Sequence, residues 1–127
     1  MITSYFDEIR QALILNELVA SFKIVREMTG SNGGFMRVKC RLSDSSILEF
    51  AEYVQIVSGK IVRPTYSYHW QTNRGTLRRR WDNAPHHPEI TTFPDHQHNG
   101  DLVIASKPMT LALVLTAIEN IFLGVNS

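Results

Sequence analysis

The sequence predicts an α+β domain, an antiparallel meander of about five or six strands with an N-terminal and a C-terminal helix packed on it. Three observations carry that prediction. Apolar residues recur at helical spacing near both ends, as Phe6, Ile9 and Leu13 and as Leu111, Val114, Leu115, Ile118, Ile121 and Phe122. Between them lie runs of two-residue alternation separated by Gly, Asn, Asp and Ser clusters. No repeat, linker or low-complexity stretch divides the 127 residues, a length that suits one domain over residues 1–127 with one core.

In chain order, the first helix is expected from about Tyr5 to Asn16, with Ser4 as its N-cap. Phe22 to Met28 reads as a strand. Gly30-Ser31-Asn32-Gly33-Gly34 lacks the Gly-Lys-Ser/Thr of a phosphate loop and reads as a hairpin turn into Phe35 to Leu42. In that second strand Met36, Val38, Cys40 and Leu42 alternate with Arg37, Lys39 and Arg41, which puts three cations on one face. Ile47 to Val57 and Ile61 to Arg63 follow around Ser58-Gly59-Lys60. Pro64 belongs near a strand start or edge, because it cannot donate to a ladder. Tyr66, Tyr68 and Trp70 then share a face against Ser67, His69 and Gln71. After Thr72-Asn73-Arg74-Gly75, Leu77, Arg79 and Trp81 alternate against Arg78, Arg80 and Asp82. Asn83 to Gly100 is expected as a long polar loop, and long loops tend to carry function. Leu102 to Ala105 is a short apolar piece, and Pro108 stands near the start of the last helix, which ends at Gly124.

Hydrophobic residues at 43% and charged residues at 20% exclude the core-poor profile of disorder. A lone cysteine, Cys40, excludes an intrachain disulfide, obliges any zinc site to draw on histidines, and favours a reducing compartment. Acidic Asp7 and Glu8 stand where a secretory leader would be basic and apolar. Leu111 to Val125 is broken by Thr116, Glu119 and Asn120 and falls short of the roughly 20 apolar residues of a membrane span. A cytoplasmic protein with no membrane association is expected. The net charge of +1 does not announce a nucleic-acid binder, but the placement of the charges is uneven.

Chemistry concentrates between Arg78 and His98. Guanidinium groups suit phosphate because their fork donates two parallel hydrogen bonds at any relevant pH, although arginines on an edge strand also guard against aggregation. His86, His87, His96 and His98 fall within thirteen residues. Neighbours in an extended chain point opposite ways, so only one of His86 and His87 joins a site with His96 and His98 easily. Three readings stand open for them: proton transfer, since imidazole titrates near neutrality; a divalent metal held with Asp95 or Glu89; or solvated, structural side chains. Cys40 and the Tyr66, Tyr68 and Trp70 face read as core, and His69 lies opposite that face, within reach of the loop.

The stretches Tyr68-His69-Trp70-Gln71, Arg80-Trp81-Asp82-Asn83-Ala84-Pro85-His86-His87-Pro88 and Thr92-Phe93-Pro94-Asp95-His96-Gln97-His98 resemble the TumE family of small bacterial and archaeal toxins. The resemblance spans essentially the whole chain. It implies a toxin of a toxin–antitoxin pair, with an antitoxin carrying a DNA-binding domain as partner. Combined with the residue chemistry, the leading expectation is metal-independent cleavage of RNA with no cofactor. His86, His87, His96, His98, Arg80 and Asp82 form the expected catalytic set, and Arg37, Lys39, Arg41, Arg78 and Trp81 the nucleic-acid contacts. The alternatives are a non-catalytic nucleic-acid- or protein-binding module and a metal-dependent hydrolase or nucleotidyl-modifying enzyme.

Overall fold

The computed structural model describes residues 1–125. Their order is α1 (Ile2–Leu15), β1 (Val19–Thr29), β2 (Gly33–Leu42), β3 (Ile47–Val57), β4 (Lys60–Gln71), β5 (Leu77–Asp82), β6 (His96–Asn99), β7 (Leu102–Ala105) and α2 (Leu111–Phe122). Each strand pairs antiparallel with the next, which gives one open meander with β1 and β7 at its edges. The expected α+β meander is present, with seven strands in place of five or six.

Alternation sorts the side chains to two faces. Met36, Val38, Cys40 and Leu42, then Leu48, Phe50 and Val54, then Tyr66, Tyr68 and Trp70 are buried together. Helix α1 lays Ile2, Phe6, Ile9 and Leu13 on this face, and α2 adds Leu111, Val114, Leu115 and Ile118. Both helices therefore cover one side of the sheet, and the polar members of the alternating strands occupy the other. Gly34 permits the close approach of α1, since a Cβ there would stand 2.7 Å from the Met28 carbonyl oxygen and 2.8 Å from Ile2 Cγ2. Glu52 is the acidic exception on the apolar face. Its burial is compensated by hydrogen bonds from the Tyr5 and Tyr68 hydroxyls and by Arg63 at 3.9 Å.

Several local expectations change. Helix α1 begins at Ile2, so Ser4 is inside it and caps nothing; extending the helix buries Ile2. The cap with a side-chain bond is Thr110 on α2, whose hydroxyl accepts from Leu113 N–H at 3.2 Å. Gly33 and Gly34 belong to β2. Pro64 sits within the continuous β4, at a break in the ladder where pairing passes from Tyr53–Thr65 to Gln55–Val62. Among the described residues its other side meets no strand, because β5 starts to pair only at Ser67, and the Pro64 carbonyl accepts from Asn83 Nδ2. The long loop is shorter than expected: His96–Asn99 is β6, joined to β7 by a turn in which Gly100 takes φ 61°.

Candidate functional site

Register brings the chemistry together. Across the face away from the helices one row of paired residues runs Lys39, Glu49, His69, Arg80, His98, and the adjacent row runs Arg37, Ala51, Ser67, Asp82, His96. Strands lie about 4.8 Å apart, so each row spans roughly 19 Å from β2 to β6. One end is basic. The other end is a cluster of imidazoles around a carboxylate.

Asp82, 4% exposed, sits at the centre of that cluster. Its Oδ1 accepts from Ala84 N–H at 2.9 Å and lies 3.1 Å from His96 Nε2. Its Oδ2 accepts from Arg80 Nε at 3.0 Å and lies 3.5 Å from His98 Nε2. His96, 2% exposed, has its Nδ1 2.9 Å from the Pro94 carbonyl, which fixes that nitrogen as the donor and aims Nε2 at the cluster. The Nε2 atoms of His96 and His98 are 3.1 Å apart. The loop that begins at Asn83 folds through successive turns at His86, Ile90, Phe93 and Asp95 and returns His87 to the same place. One ring nitrogen from each of His87, His96 and His98 lies within 4.8 Å of the others. Glu89 Oε1 holds Nδ1 of His87 at 3.1 Å. Burial pushes the His98 imidazole below its ordinary range; Asp82 opposes that shift, while His96, Arg80 and His87 reinforce it.

Arg80 links this cluster to the basic end, for its Nη1 lies 3.2 Å from His69 Nδ1 as its Nε holds Asp82. His69 in turn places Nε2 3.1 Å from Gln71 Oε1. These residues line a cleft of about 250 Å³ with Arg37, Lys39, Ile47, Glu49 and Ser67. Arg37 spends part of its charge on Glu49 at 3.2 Å, and Lys39 and Arg41 are exposed.

The expected residues thus divide. His87, His96, His98, Arg80 and Asp82 meet. His86 is exposed and stands outside, as the geometry of adjacent residues anticipated for one of the pair. Arg37 and Lys39 reach the same cleft, and Arg41 lies further along β2, paired with Ile47. Trp81 needs correction: it is 2% exposed, opposite Tyr68 in the core, and offers no surface to a nucleic acid. Arg78 is also displaced. Pairing passes from Trp70–Arg79 to Gln71–Leu77, so Arg78 is the extra residue of a bulge, and its guanidinium stands 4.0 Å from the Trp70 ring centre and 3.0 Å from Asp44. Neither Asp95 nor Glu89 serves as the cluster's central carboxylate, since Asp95 takes the Tyr66 hydroxyl at 2.5 Å and Glu89 orients His87.

This constellation of Arg80, Asp82, His87, His96 and His98 falls inside the segment covered by a family model described as Toxin TumE, which matches residues 8–122. The chain belongs to the TumE toxin family. A toxin role in a toxin–antitoxin system, and hence a cognate antitoxin, follows from that membership. No curated protein and no solved structure matches the chain. The TumE match leaves the site's chemistry to be read from geometry. Among the described residues no helix is long and apolar enough to cross a membrane.

Proposed function

We propose that this TumE-family protein is a toxin that cuts RNA, laying the strand across the face opposite the helices and reacting at the open side of the histidine cluster. The observation that carries the reading is the cross-strand row Lys39, Glu49, His69, Arg80, His98, which sets phosphate-binding cations in line with groups able to move a proton. Arg37, Lys39 and Arg41 draw the backbone in, with the salt dependence that counterion release imposes. Arg80 is oriented by Asp82 and His69, and in this reading it neutralises charge that builds on the phosphate.

The reaction is attack of a ribose 2′-oxygen on the adjacent phosphorus. The 2′-hydroxyl proton is taken up at His98, the accessible imidazole of the β6 pair, as the 2′-oxygen bonds to phosphorus, and that same proton is returned to the 5′-oxygen as its bond to phosphorus breaks. The two-histidine arrangement with a phosphate between base and acid does not suit His96 and His98, because 3.1 Å between their Nε2 atoms leaves no space for one. The antitoxin is taken to carry a DNA-binding domain and to cover this face, and the cytoplasm, where RNA is translated, is the place of action.

Induced expression followed by mapping of RNA ends tests the proposal. Arrested cells are expected to accumulate new RNA ends that disappear in Arg80→Ala and His98→Gln. Arrest with intact RNA would contradict it and favour a binding role for the same face.

A further inference from the structure

We propose that His87, His96 and His98 form a binding site for a divalent transition-metal ion of the zinc type, with Asp82 beside it to offset the charge. The inference deepens the reading of this cluster and does not depend on RNA being the target.

Acceptor bookkeeping is the first ground. His96 Nδ1 donates to the Pro94 carbonyl, so in the neutral ring Nε2 carries a lone pair. That lone pair meets Asp82 Oδ1 at 3.1 Å and His98 Nε2 at 3.1 Å, while His98 Nε2 meets Asp82 Oδ2 at 3.5 Å. Electron-rich atoms on three side chains converge in a pocket where His96 and Asp82 are almost fully buried. One proton satisfies one such contact; a cation satisfies them together.

The spacing is the second ground. With metal–nitrogen bonds of about 2.05 Å, tetrahedral ligand atoms stand roughly 3.3 Å from one another. The 3.1 Å between His96 and His98 is close to that value, and His87, whose ligand atom lies within 4.8 Å of the others, rides on a loop and is the member that draws in. A third ground is the support behind the rings. Metal-ligating histidines usually give their other ring nitrogen to a carboxylate or carbonyl, and here His87 has Glu89 and His96 has Pro94 in those places. Three imidazoles with no cysteine select zinc and its neighbours over magnesium or calcium.

Three histidine ligands leave one position open, and His98, 26% exposed, marks the side that faces solvent. A zinc-type ion held by His87, His96 and His98 would lower the pKa of a water bound at that position to about 7, and that water would then take over from the His98 imidazole the exchange of the 2′-hydroxyl proton.

The test uses the full chain without a histidine tag, stripped with chelator and titrated with Zn(II) and separately with Co(II). The wild type is expected to take up one equivalent of either, with a higher melting temperature in Zn(II) and a visible Co(II) spectrum of tetrahedral intensity. His87→Ala and His98→Ala, chosen because neither side chain is fully buried, are expected to weaken uptake at least about 100-fold while their metal-free melts stay near wild type. His86→Ala is expected to bind normally. No saturable equivalent in the wild type would overturn the site, as would wild-type uptake in both variants. One bound equivalent in a protein that leaves RNA intact upholds the site and refutes the RNA reading. RNA cleavage undiminished in metal-free protein overturns a working metal here and leaves the RNA reading standing.

Discussion

Arg80 donates through Nε to Asp82 Oδ2 at 3.0 Å while its Nη1 lies 3.2 Å from His69 Nδ1, and these two contacts join the basic cleft to the histidine cluster. A lost charge-stabilising donor in an active site commonly costs about 10²–10³-fold in rate. Arg80→Ala is therefore expected to reduce RNA cleavage by about that factor, and Arg80→Lys to recover only part of it, because an ammonium lacks the fork that spans Asp82 and His69. Cleavage rates of the two variants decide the point; equal rates for Arg80→Ala and wild type would remove Arg80 from the site.

His86 and His87 are adjacent yet differently placed, one exposed and one in the cluster. His86→Ala is expected to keep full toxicity. His87→Ala is expected to lose it, with a thermal melt within about 1 kcal/mol of wild type, since a loop imidazole contributes little to core burial. Growth curves after induction, paired with melts of the purified variants, report both. A toxic His87→Ala variant would contradict the arrangement.

Arg78 belongs to the fold. It stacks on Trp70 at 4.0 Å and pairs with Asp44 at 3.0 Å, so Arg78→Ala is expected to lower stability by about 1 kcal/mol and to leave the salt dependence of RNA binding unchanged. Arg37→Ala and Lys39→Ala are expected to do the reverse, each reducing the slope of log affinity against log salt by about 1. Denaturant midpoints and binding titrations at several salt concentrations separate the two behaviours.

The strands with apolar alternation were legible because one of their faces meets the helices. Met36, Val38, Cys40 and Leu42 declare β2, and Tyr66, Tyr68 and Trp70 declare β4. Strand β6 carries no such signal, for His96 and His98 face the polar cluster while Gln97 and Asn99 line a cleft beside α2. Hydropathy therefore reads it as loop. The bulge at Arg78 is equally silent, and strict alternation wrongly groups Arg78 with Arg80. Grouping by composition named all five of the cluster's side chains together with His86, and the pairing of β5 with β6 brings Arg80, Asp82, His96 and His98 together; the turns of the loop, which choose His87 over His86, follow from backbone hydrogen bonds that no spacing reveals.

Alkaline pH should destabilise the protein through its buried protons. Burial pushes the Cys40 thiol from an ordinary 9.0 up to about 12, and burial followed by hydrogen-bonded carboxylates raises Tyr5, Tyr66 and Tyr68 above their ordinary 10.0. These groups keep their protons when folded and release them when unfolded. Their contribution is complete below about pH 9 and is lost as pH rises toward the folded values, so stability falls across that window. Urea midpoints at about pH 7.5 and about pH 10.5 should differ, the second being lower. Equal midpoints would mean that these groups are solvated.

The most direct measurement incubates the purified, antitoxin-free chain with an end-labelled single-stranded RNA and with the DNA strand of the same sequence, beside His98→Gln. The wild type is expected to cut the RNA, leave 2′,3′-cyclic phosphate ends, and spare the DNA, which has no 2′-hydroxyl to attack. His98→Gln is expected to be slower by about 10²–10⁴-fold. RNA left intact by wild-type protein that still arrests translation in a cell-free extract would contradict the account.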